Sequence, residues 1–318
     1  MNIADALSNR NSTGFSFEVL PPIKGKSVTQ LFANIDKLKE FKPLYINITT
    51  HRSELVFKST ADGLYRKYAV RNRPGSVAVA AAIQHKYGIT VVPHMICSGF
   101  TKTETEYALI DLNFLGINNL LLLRGDKAKH DNRFIPEENG HSHACELIQQ
   151  VNNFNNGFFV DGTQMDIISD NKFSYGVAGY PEKHDEAPNP LIDLEYLKQK
   201  VDLGASYVVT QMFFDNEKYY KFVANCREIG ISVPIVPAIK PIVNCGQLTL
   251  LPKVFHVDLP HALAVELAKC RDNDQAKQVG VEWCAAQAKD LIAHGVPSIH
   301  FYSHNATESV LKVASQIF

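Results

Sequence analysis

The chain has 318 residues, of which 45% are hydrophobic, so it can bury a sizeable core without disulfide bonds or structural metals. Its 32 Lys and Arg residues nearly balance 33 Asp and Glu residues, and no basic stripe alternates with aromatic residues. This charge balance argues against a nucleic-acid partner.

Residues 1–10 contain no apolar segment, and no apolar run is long enough to span a membrane. We therefore expect a cytoplasmic protein without a membrane partner. The six cysteines lie far apart and form no C-x-x-C pair, which predicts reduced thiols. We expect no metal site, because the histidine and cysteine spacings match no common zinc or non-haem iron signature.

Eight short runs rich in β-branched and aromatic residues predict strands. In chain order they are Phe15 to Leu20, Leu44 to Thr50, Thr90 to Ile96, Asn119 to Leu123, Tyr175 to Gly179, Tyr207 to Phe213, Ile235 to Ile239 and Ser298 to Tyr302. Segments with helical periodicity lie between them; Leu31, Ile35 and Leu38, for example, follow the i, i+4, i+7 pattern. The predicted helices are Thr29 to Phe41, Val77 to Lys86, Thr103 to Leu115, Ala144 to Val151, Leu191 to Leu203, Glu217 to Ile229 and Glu308 to Ile317.

Strands that alternate with helices predict parallel pairing and right-handed crossovers. Eight such units in this length indicate an α/β fold, a (β/α)8 TIM barrel in which residues 1–318 form one catalytic domain. The alternative is an open doubly wound sheet, but no G-x-G-x-x-G follows the first strand, where a dinucleotide-binding fold needs it.

The segment from 152 to 172 is longer than a connection between a helix and a strand requires. Asp161-Gly162 is a turn signal, so we expect an extra hairpin near residues 157–168. Such a connection lies on the face of a barrel away from its catalytic mouth. We expect a homo-oligomer, and the hairpin is either a structural or oligomer contact or a solvated loop with no partner.

Polar residues stand at the carboxyl ends of six successive predicted strands. They are Glu18, Thr49, His94, Asp126, Tyr180 and Gln211. In a closed parallel barrel these ends meet at one mouth, where active sites lie. Each residue alone also has an ordinary structural explanation, as a paired core carboxylate, a packing histidine or a loop cap.

The loops after the fourth and fifth strands carry basic groups. These are Lys127, Lys129, His130, Arg133, Lys183 and His184. Cationic and imidazole side chains on these loops predict a phosphate-bearing cofactor, and the alternative is ordinary solvated surface charge.

Six segments resemble the flavin-dependent 5,10-methylenetetrahydrofolate reductases of bacterial type. They are Ser16-Phe17-Glu18 with Pro21-Pro22, Val92-Pro93-His94, Leu123-Arg124-Gly125-Asp126, the run Gly179 to His184, the run Leu197 to Gly204, and the run Thr210 to Asp215. The resemblance implies a (β/α)8 barrel that holds FAD at the carboxyl ends of its strands. It also implies ping-pong hydride transfer from NADH or NADPH through FAD to methylenetetrahydrofolate, with 5-methyltetrahydrofolate as the product.

The resemblance assigns roles to matching residues. Glu18 matches the catalytic glutamate, a general acid that opens the methylene bridge, and Asp126 matches the aspartate beside the flavin and the pterin. A partly desolvated carboxyl group can keep its proton near neutral pH and donate it. Gln211 matches a residue that contacts folate and nicotinamide in turn. The residues implied to hold FAD are Thr49, His94, Arg124, Gly125, Asp126, His143, Ala144, Tyr180, His184, Asp193 and Lys200.

Three positions depart from the family's pattern. Cys245 stands where an aromatic residue is frequent, Ala306 where an arginine helps to bind folate, and His143 where tyrosine is common. The sequence therefore does not decide between NADH and NADPH. The large regulatory domain of eukaryotic members is not among these residues, so we expect no allosteric control through it.

Two other functions fit parts of the pattern. A barrel flavoprotein similar to proline dehydrogenase would need a basic pair to bind a carboxylate near its last helix, and the segment from Ser303 to Leu311 has none. A flavin- or folate-binding protein without turnover is the other alternative, and the presence of Glu18, Asp126 and Gln211 argues against it.

Overall fold

A computed structural model describes residues 1–128, 131–304 and 306–318. The strands are β1 Gly14–Val19, β2 Ile46–Ile48, β3 Glu54–Ser59, β4 Tyr65–Val70, β5 Val91–Ile96, β6 Asn119–Leu123, β7 Ser174–Gly179, β8 Tyr207–Thr210, β9 Ile235–Val236, β10 Ala238–Ile239 and β11 Ser298–Tyr302. The helices are α1 Ile3–Ser8, α2 Val28–Leu38, α3 Ser76–Tyr87, α4 Lys102–Phe114, α5 Ala144–Asn155, α6 Pro190–Asp202, α7 Asn216–Glu228, α8 Gln247–Phe255, α9 His261–Lys269, α10 Asn273–Ala293 and α11 Thr307–Ala314, with a 3-10 turn at Lys39–Phe41.

The main sheet has the strand order β10-β11-β1-β2-β5-β6-β7-β8-β9. Its two terminal strands, β9 and β10, are consecutive pieces of one segment that is interrupted at Pro237, which has no backbone N–H to donate. This is the strand order of a (β/α)8 barrel, so the predicted fold class is confirmed. All eight predicted strands are present, the seventh as β9 and β10.

Most strands of this sheet are buried over their whole length, as strands covered on both faces should be. The continuous apolar runs in the sequence reflect this burial. Glu18 and His94 are polar exceptions inside buried strands, with 4% and 6% of their surface exposed.

The chain divides into two compact units. The first unit comprises Met1–Val19, Ala33–Asn47 and Ser174–Phe318, and the second comprises Leu20–Phe32 and Ile48–Phe173. That residues 1–318 form a single domain stays a prediction.

An aromatic cluster forms part of the core of the first unit. The ring of Phe15 on β1 lies 5.6 Å from the rings of Phe17, Phe41 and Phe301 and 5.4 Å from that of Phe318. Contacts of this kind add to the stabilisation from buried apolar area. The cluster ties β1 to β11 and to the last residue of the chain.

The opposite face of β1 and β11 is polar. Ser16 Oγ lies 3.0 Å from His300 Nδ1, and the ring of Tyr45 stacks on that of His300 at 6.0 Å. Burial raises the pKa of Tyr45 to about 12, so its hydroxyl stays neutral in this setting. The alternation along β1 therefore places aromatic packing on one face and polar groups on the other.

Several elements lie outside the predicted pattern, and their residues explain why. They are the antiparallel pair β3–β4 and the helices α1, α8, α9 and α10. In β3 and β4 the large residues Phe57 and Tyr65 are 66% and 73% exposed, so no apolar stripe marks a core face. The core face of α10 consists largely of small residues, including Ala276, Gly280 and Cys284, which give little helical periodicity.

The predicted hairpin near residues 157–168 is only partly formed. The chain reverses at Gly162, whose φ is +86°, and Thr163 N donates to Asp161 Oδ1 at 2.8 Å. A single antiparallel bridge joins Phe158 to Gln164, and no strand is assigned to this segment. Its role as an oligomer contact stays a prediction.

Among the described residues, no helix combines the length and apolar character that a membrane crossing requires.

We expect Gly280→Ala to destabilise the protein. A Cβ at this position of α10 would overlap the backbone carbonyl of Ile242. Overpacking of this kind costs about 1–3 kcal/mol of unfolding free energy, which outweighs the roughly 1 kcal/mol that alanine gains over glycine in a helix. Thermal unfolding measures the effect. Lys289→Ala on the exposed face of the same helix should change stability little, and equal stability of the two variants would contradict the close packing.

Candidate active site

Glu18 is the next-to-last residue of β1 and belongs to the first unit. β1 pairs in parallel with β11, and the register sets Glu18 opposite Tyr302. Only 4% of Glu18 is exposed. The strand pairing thus holds a carboxyl group at the carboxyl end of a buried strand, as predicted.

The segment after β11 supplies two contacts to Glu18. Ser303 Oγ donates a hydrogen bond to the backbone carbonyl of Glu18. His304 Nε2 lies 3.0 Å from Glu18 Oε1, close enough for an ion pair when the imidazole is protonated. The ring is not aligned for a hydrogen bond, since His304 Nε2 is a buried nitrogen without a hydrogen-bond partner among the described residues.

Lys240 adds a second basic group near Glu18. It directly follows β10, whose Ile239 pairs with Phe301, so Lys240 comes level with Tyr302. Lys240 Nζ donates to the backbone carbonyl of His304 at 3.3 Å. Burial lowers the pKa of Lys240, and the negative charge of Glu18 partly opposes that change.

Lys240 and His304 were missed as site candidates in the sequence. Both follow the carboxyl ends of strands, the seventh and the eighth, which is the same signal that identified the other six residues. They meet at Glu18 because β10, β11 and β1 lie side by side in register.

The loop after β7 and helix α6 bring together four of the predicted FAD-binding residues. The rings of Tyr180 and His184 meet edge to face with centroids 4.7 Å apart. The backbone N–H of His184 donates to Asp193 Oδ2 at 3.0 Å, which fixes the loop to the first turn of α6. Lys200, from the last turn of α6, donates to the backbone carbonyl of Ala178 at 2.8 Å.

Gln211, directly after β8, lies near Tyr180. Both line a small depression in the first unit, together with Lys183, Met212 and His256. The backbone N–H of Met212 donates to Gln211 Oε1 at 2.9 Å, which orients the amide side chain. Lys183 Nζ donates to backbone carbonyls of its own loop, including that of Ala187 at 2.6 Å, so this cation stabilises the loop.

The second unit contains the turn Arg124-Gly125-Asp126. Gly125 has a φ of +81°, which favours glycine, and a Cβ there would lie 3.0 Å from Ser98 Cβ. The backbone N–H of Ser98 donates to the Arg124 carbonyl at 3.0 Å, and Ser98 Oγ donates to the Asp126 carbonyl at 2.6 Å. The guanidinium of Arg124 lies over the ring of Phe134 at 4.8 Å. This turn places Asp126 just beyond the end of β6, as predicted.

Thr49 and His94 both belong to the second unit; Thr49 directly follows β2, and His94 lies within β5. His94 is on β5, and its backbone carbonyl accepts a hydrogen bond from Thr50 Oγ1 at 2.5 Å. Thr49 Oγ1 lies 3.3 Å from His51 Nε2. Both are buried polar residues; Thr49 follows its strand as predicted, whereas His94 lies two residues before the end of β5.

His143 and Ala144 form the start of α5. His143 is the N-cap residue and makes no side-chain capping hydrogen bond. A helix N-terminus carries partial positive charge and suits a phosphate group. Of the basic groups predicted on the preceding loop, Lys129 and His130 lie outside the described residues, and Lys127 Nζ donates to the Asn132 carbonyl at 3.2 Å.

The donor chemistry of these residues fits FAD. A guanidinium at Arg124 and the start of α5 suit the phosphates, while hydroxyl, imidazole and amide groups suit the ring and sugar oxygens and nitrogens. The predicted residues are divided between the units. The first unit holds Glu18, Tyr180, His184, Asp193, Lys200 and Gln211, and the second holds Thr49, His94, Arg124, Gly125, Asp126, His143 and Ala144. That these residues bind one cofactor stays a prediction.

The three departures from the family's pattern have defined places. Ala306 is 2% exposed and caps α11. Cys245 Sγ lies 3.3 Å from the backbone carbonyl of Asp272, and its backbone N–H donates to Asn273 Oδ1 at 3.1 Å. His143 is exposed.

The chain matches a known protein family over nearly its full length. Residues 2–317 match the family described as methylenetetrahydrofolate reductase. The chain belongs to this family. The resemblance inferred from the motifs is therefore confirmed.

Relatives within the family come from plants, animals and bacteria. Methylenetetrahydrofolate reductase (NADH) 1 of Arabidopsis thaliana is 30% identical over 318 residues, covering 97% of this chain and 49% of the relative. The 5,10-methylenetetrahydrofolate reductase of Salmonella typhimurium is 30% identical over 295 residues, covering 92% of this chain and 86% of the relative. The chain spans about half the length of the plant, nematode and yeast relatives it matches.

Solved structures with the same fold include a protein from Clostridium thermocellum. That protein, described as binding two copies of 5-methyl-5,6,7,8-tetrahydrofolic acid, is 14% identical, with a TM-score of 0.61 over 98% of both chains. A 2,3-dimethylmalate lyase is 9% identical, with a TM-score of 0.50 over 97% of this chain and 81% of the other. At these identities the likeness shows the fold alone.

We expect Gly125→Ala to destabilise the Arg124-Gly125-Asp126 turn. A left-handed conformation costs an alanine roughly 1–2 kcal/mol, and close contacts with Ser98 and Ile96 add to this. Gly116→Ala is the matched control, because Gly116 also has a positive φ, +67°, but a Cβ there would meet no atom within 4 Å. Thermal unfolding should show the larger loss for Gly125→Ala. Equal losses would mean that the contacts of the turn contribute nothing.

Proposed function

We propose that this protein reduces 5,10-methylenetetrahydrofolate to 5-methyltetrahydrofolate, with FAD as cofactor and NADH or NADPH as electron donor, in two successive half-reactions. The observation that carries the proposal is the buried Glu18 at the carboxyl end of β1, in a chain that matches the methylenetetrahydrofolate reductase family over residues 2–317. A buried carboxyl group at such a place is suited to general acid catalysis.

The substrate class is supported by the relatives. The plant and bacterial proteins at 30% identity carry the name methylenetetrahydrofolate reductase. The Clostridium thermocellum protein with the same fold is described as binding 5-methyl-5,6,7,8-tetrahydrofolic acid, which is the product proposed here. The relatives' names include both NADH and NADPH enzymes, so both donors are retained.

The residues proposed to hold FAD lie at strand ends and in the loops that follow them. Arg124 and the start of α5 at His143 and Ala144 would bind the phosphates, as would Lys200. Thr49, His94, Gly125, Tyr180, His184 and Asp193 would bind the remaining polar groups. When bound, FAD accepts a hydride from the nicotinamide and passes it to the folate.

Glu18 is proposed to move the proton. It would protonate a nitrogen of the folate's five-membered ring, so that the carbon–nitrogen bond of the methylene bridge breaks and a cationic iminium forms on the folate. The burial of Glu18 keeps water away from its carboxyl group. The hydride then adds to the iminium carbon to give the methyl group.

Asp126 and Gln211 would orient and stabilise the reactants. A carboxylate at Asp126 favours the cationic iminium through charge attraction. Gln211 has its amide oriented by the Met212 N–H and would contact folate and nicotinamide in turn. The homo-oligomer and the cytoplasmic location stay predictions.

We expect Glu18→Gln to separate the two half-reactions. The amide has nearly the same shape but no proton to donate, so NADH should still bleach the bound flavin. Reoxidation by methylenetetrahydrofolate should slow by about 10²–10⁴-fold, the usual contribution of a general acid. Anaerobic stopped-flow absorbance measures both steps.

Glu308→Gln is the control for this variant, because Glu308 is an exposed carboxylate on α11 that pairs with Lys37. It should leave both half-reactions unchanged. Normal reoxidation in Glu18→Gln would remove Glu18 from the mechanism.

A further inference from the structure

The surroundings of Glu18 raise the question of how its proton is replaced after each turnover. The side chain of Glu18 is only 5% exposed, whereas that of His304 is 26% exposed. His304 Nε2 lies 3.0 Å from Glu18 Oε1. The imidazole is therefore a group that touches both the buried carboxyl group and the solvent.

Two forms of this pair hold one proton and differ only in its position. A carboxylate beside an imidazolium and a carboxylic acid beside a neutral imidazole have the same total charge. Conversion between them needs a rotation of the His304 ring that aligns Nε2 with Glu18 Oε1, and then a proton transfer between these two atoms, which lie 3.0 Å apart. An imidazole ring can both accept and release a proton at a ring nitrogen, so it can act as the partner in such an exchange.

The other titratable groups around Glu18 in the first unit limit which residues carry charge. Tyr302 is opposite Glu18, and its pKa is raised well above its usual range by burial and by the charge of Glu18. Tyr180 interacts with Tyr302, and Cys284 with Lys240; burial raises the pKa of the Cys284 thiol. The Tyr302 phenol and the Cys284 thiol therefore stay neutral near pH 7. The other titratable groups that the first unit places here are Glu18, His304, Lys240 and His300, whose ring contacts that of Tyr302 at 5.8 Å.

We propose that Glu18 and His304 share one proton, and that His304 is a positioning residue which resupplies Glu18 from solvent. This inference rests on the proposed function, in which Glu18 is the general acid. Glu18 gives its proton to a folate nitrogen, and a new N–H bond forms there. The N–H bond at His304 Nε2 then breaks as an O–H bond forms on Glu18 Oε1. The ring turns so that the vacated Nε2, which is buried beside Glu18, reaches water and takes up a proton there. One proton enters from solvent for each proton delivered.

Lys240 has a separate effect on the pair. A positive charge beside Glu18 opposes proton uptake by the pair as a whole. Its Nζ donates to the His304 backbone carbonyl at 3.3 Å, so it also helps to hold the segment that carries His304.

The test is a pH titration of the Glu18 carboxyl signal by NMR. The full chain is labelled with ¹³C at the glutamate side-chain carboxyl carbon, and Glu18→Gln identifies the Glu18 signal by its loss. In the wild type, a shared proton makes this signal change in two steps. In His304→Gln we expect a single step, at a pH between the two wild-type steps and nearer to the upper one.

Two further variants complete the experiment. His294→Gln removes an exposed imidazole that also faces a carboxylate, that of Asp290 at 3.4 Å, and should leave both Glu18 steps in place. Lys240→Met removes a positive charge but keeps the imidazole, so both steps should persist and move to higher pH. Lys240→Met thus keeps the test decisive if His304→Gln folds poorly.

The same variants have a kinetic readout. As pH falls, the rate of flavin reoxidation by methylenetetrahydrofolate should level off in the wild type where the pair is singly protonated. In His304→Gln it should continue to rise to lower pH, because Glu18 then titrates alone.

The outcomes separate this inference from the proposed function. If the Glu18 carboxyl signal changes with pH in the same way in the wild type and in His304→Gln, the two residues do not share a proton. This conclusion would hold even if Glu18→Gln blocks reoxidation as expected. Normal reoxidation in Glu18→Gln would overturn the proposed function and the role of the pair in turnover, whatever the NMR titration shows.

Discussion

The parallel pairing of the first strand with the last is the constraint on which the site around Glu18 depends. The register of β1 and β11 sets Phe15 and Phe17 beside Ile299 and Phe301 on one face, and Ser16 and Glu18 beside His300 and Tyr302 on the other. A slip of one residue would exchange these faces. The ring contact of Phe15 and Phe301 at 5.6 Å disfavours such a slip, so aromatic packing on one side of the strand secures the position of a carboxyl group on the other.

The same register determines the charge around Glu18. β10 continues the sheet beyond β11, which brings Lys240 level with Tyr302, and the chain after β11 places His304 against the carboxylate. A buried carboxyl group without such neighbours would pay a large desolvation cost to ionise. Basic groups on two adjacent strand ends reduce that cost. In the second unit, the position of Asp126 depends on the backbone of its turn. Ser98 donates a hydrogen bond to the Asp126 carbonyl, and Gly125 adopts the positive φ that the turn requires.

Much of the fold could be predicted from the sequence, because buried parallel strands appear in it as short apolar runs, and polar residues mark the ends of those runs. The eight strands and the positions of Glu18, Asp126 and Gln211 at strand ends follow from this pattern. Elements without a one-sided apolar face could not be found in this way, as with the exposed aromatic residues of β3–β4 and the small core residues of α10. Lys240 and His304 also stand at strand ends, but only the register between three strands, which a sequence pattern does not contain, shows that both meet Glu18.

The central claim is that one flavin at this site reacts with a nicotinamide and then with a folate. The most direct measurement is the visible spectrum of the wild-type protein with bound FAD under anaerobic conditions, first with NADH or NADPH and then with methylenetetrahydrofolate. We expect the flavin band to bleach and then to recover, with 5-methyltetrahydrofolate formed. Bleaching without recovery would contradict the folate as acceptor, and a protein that cannot be loaded with FAD would contradict the cofactor itself.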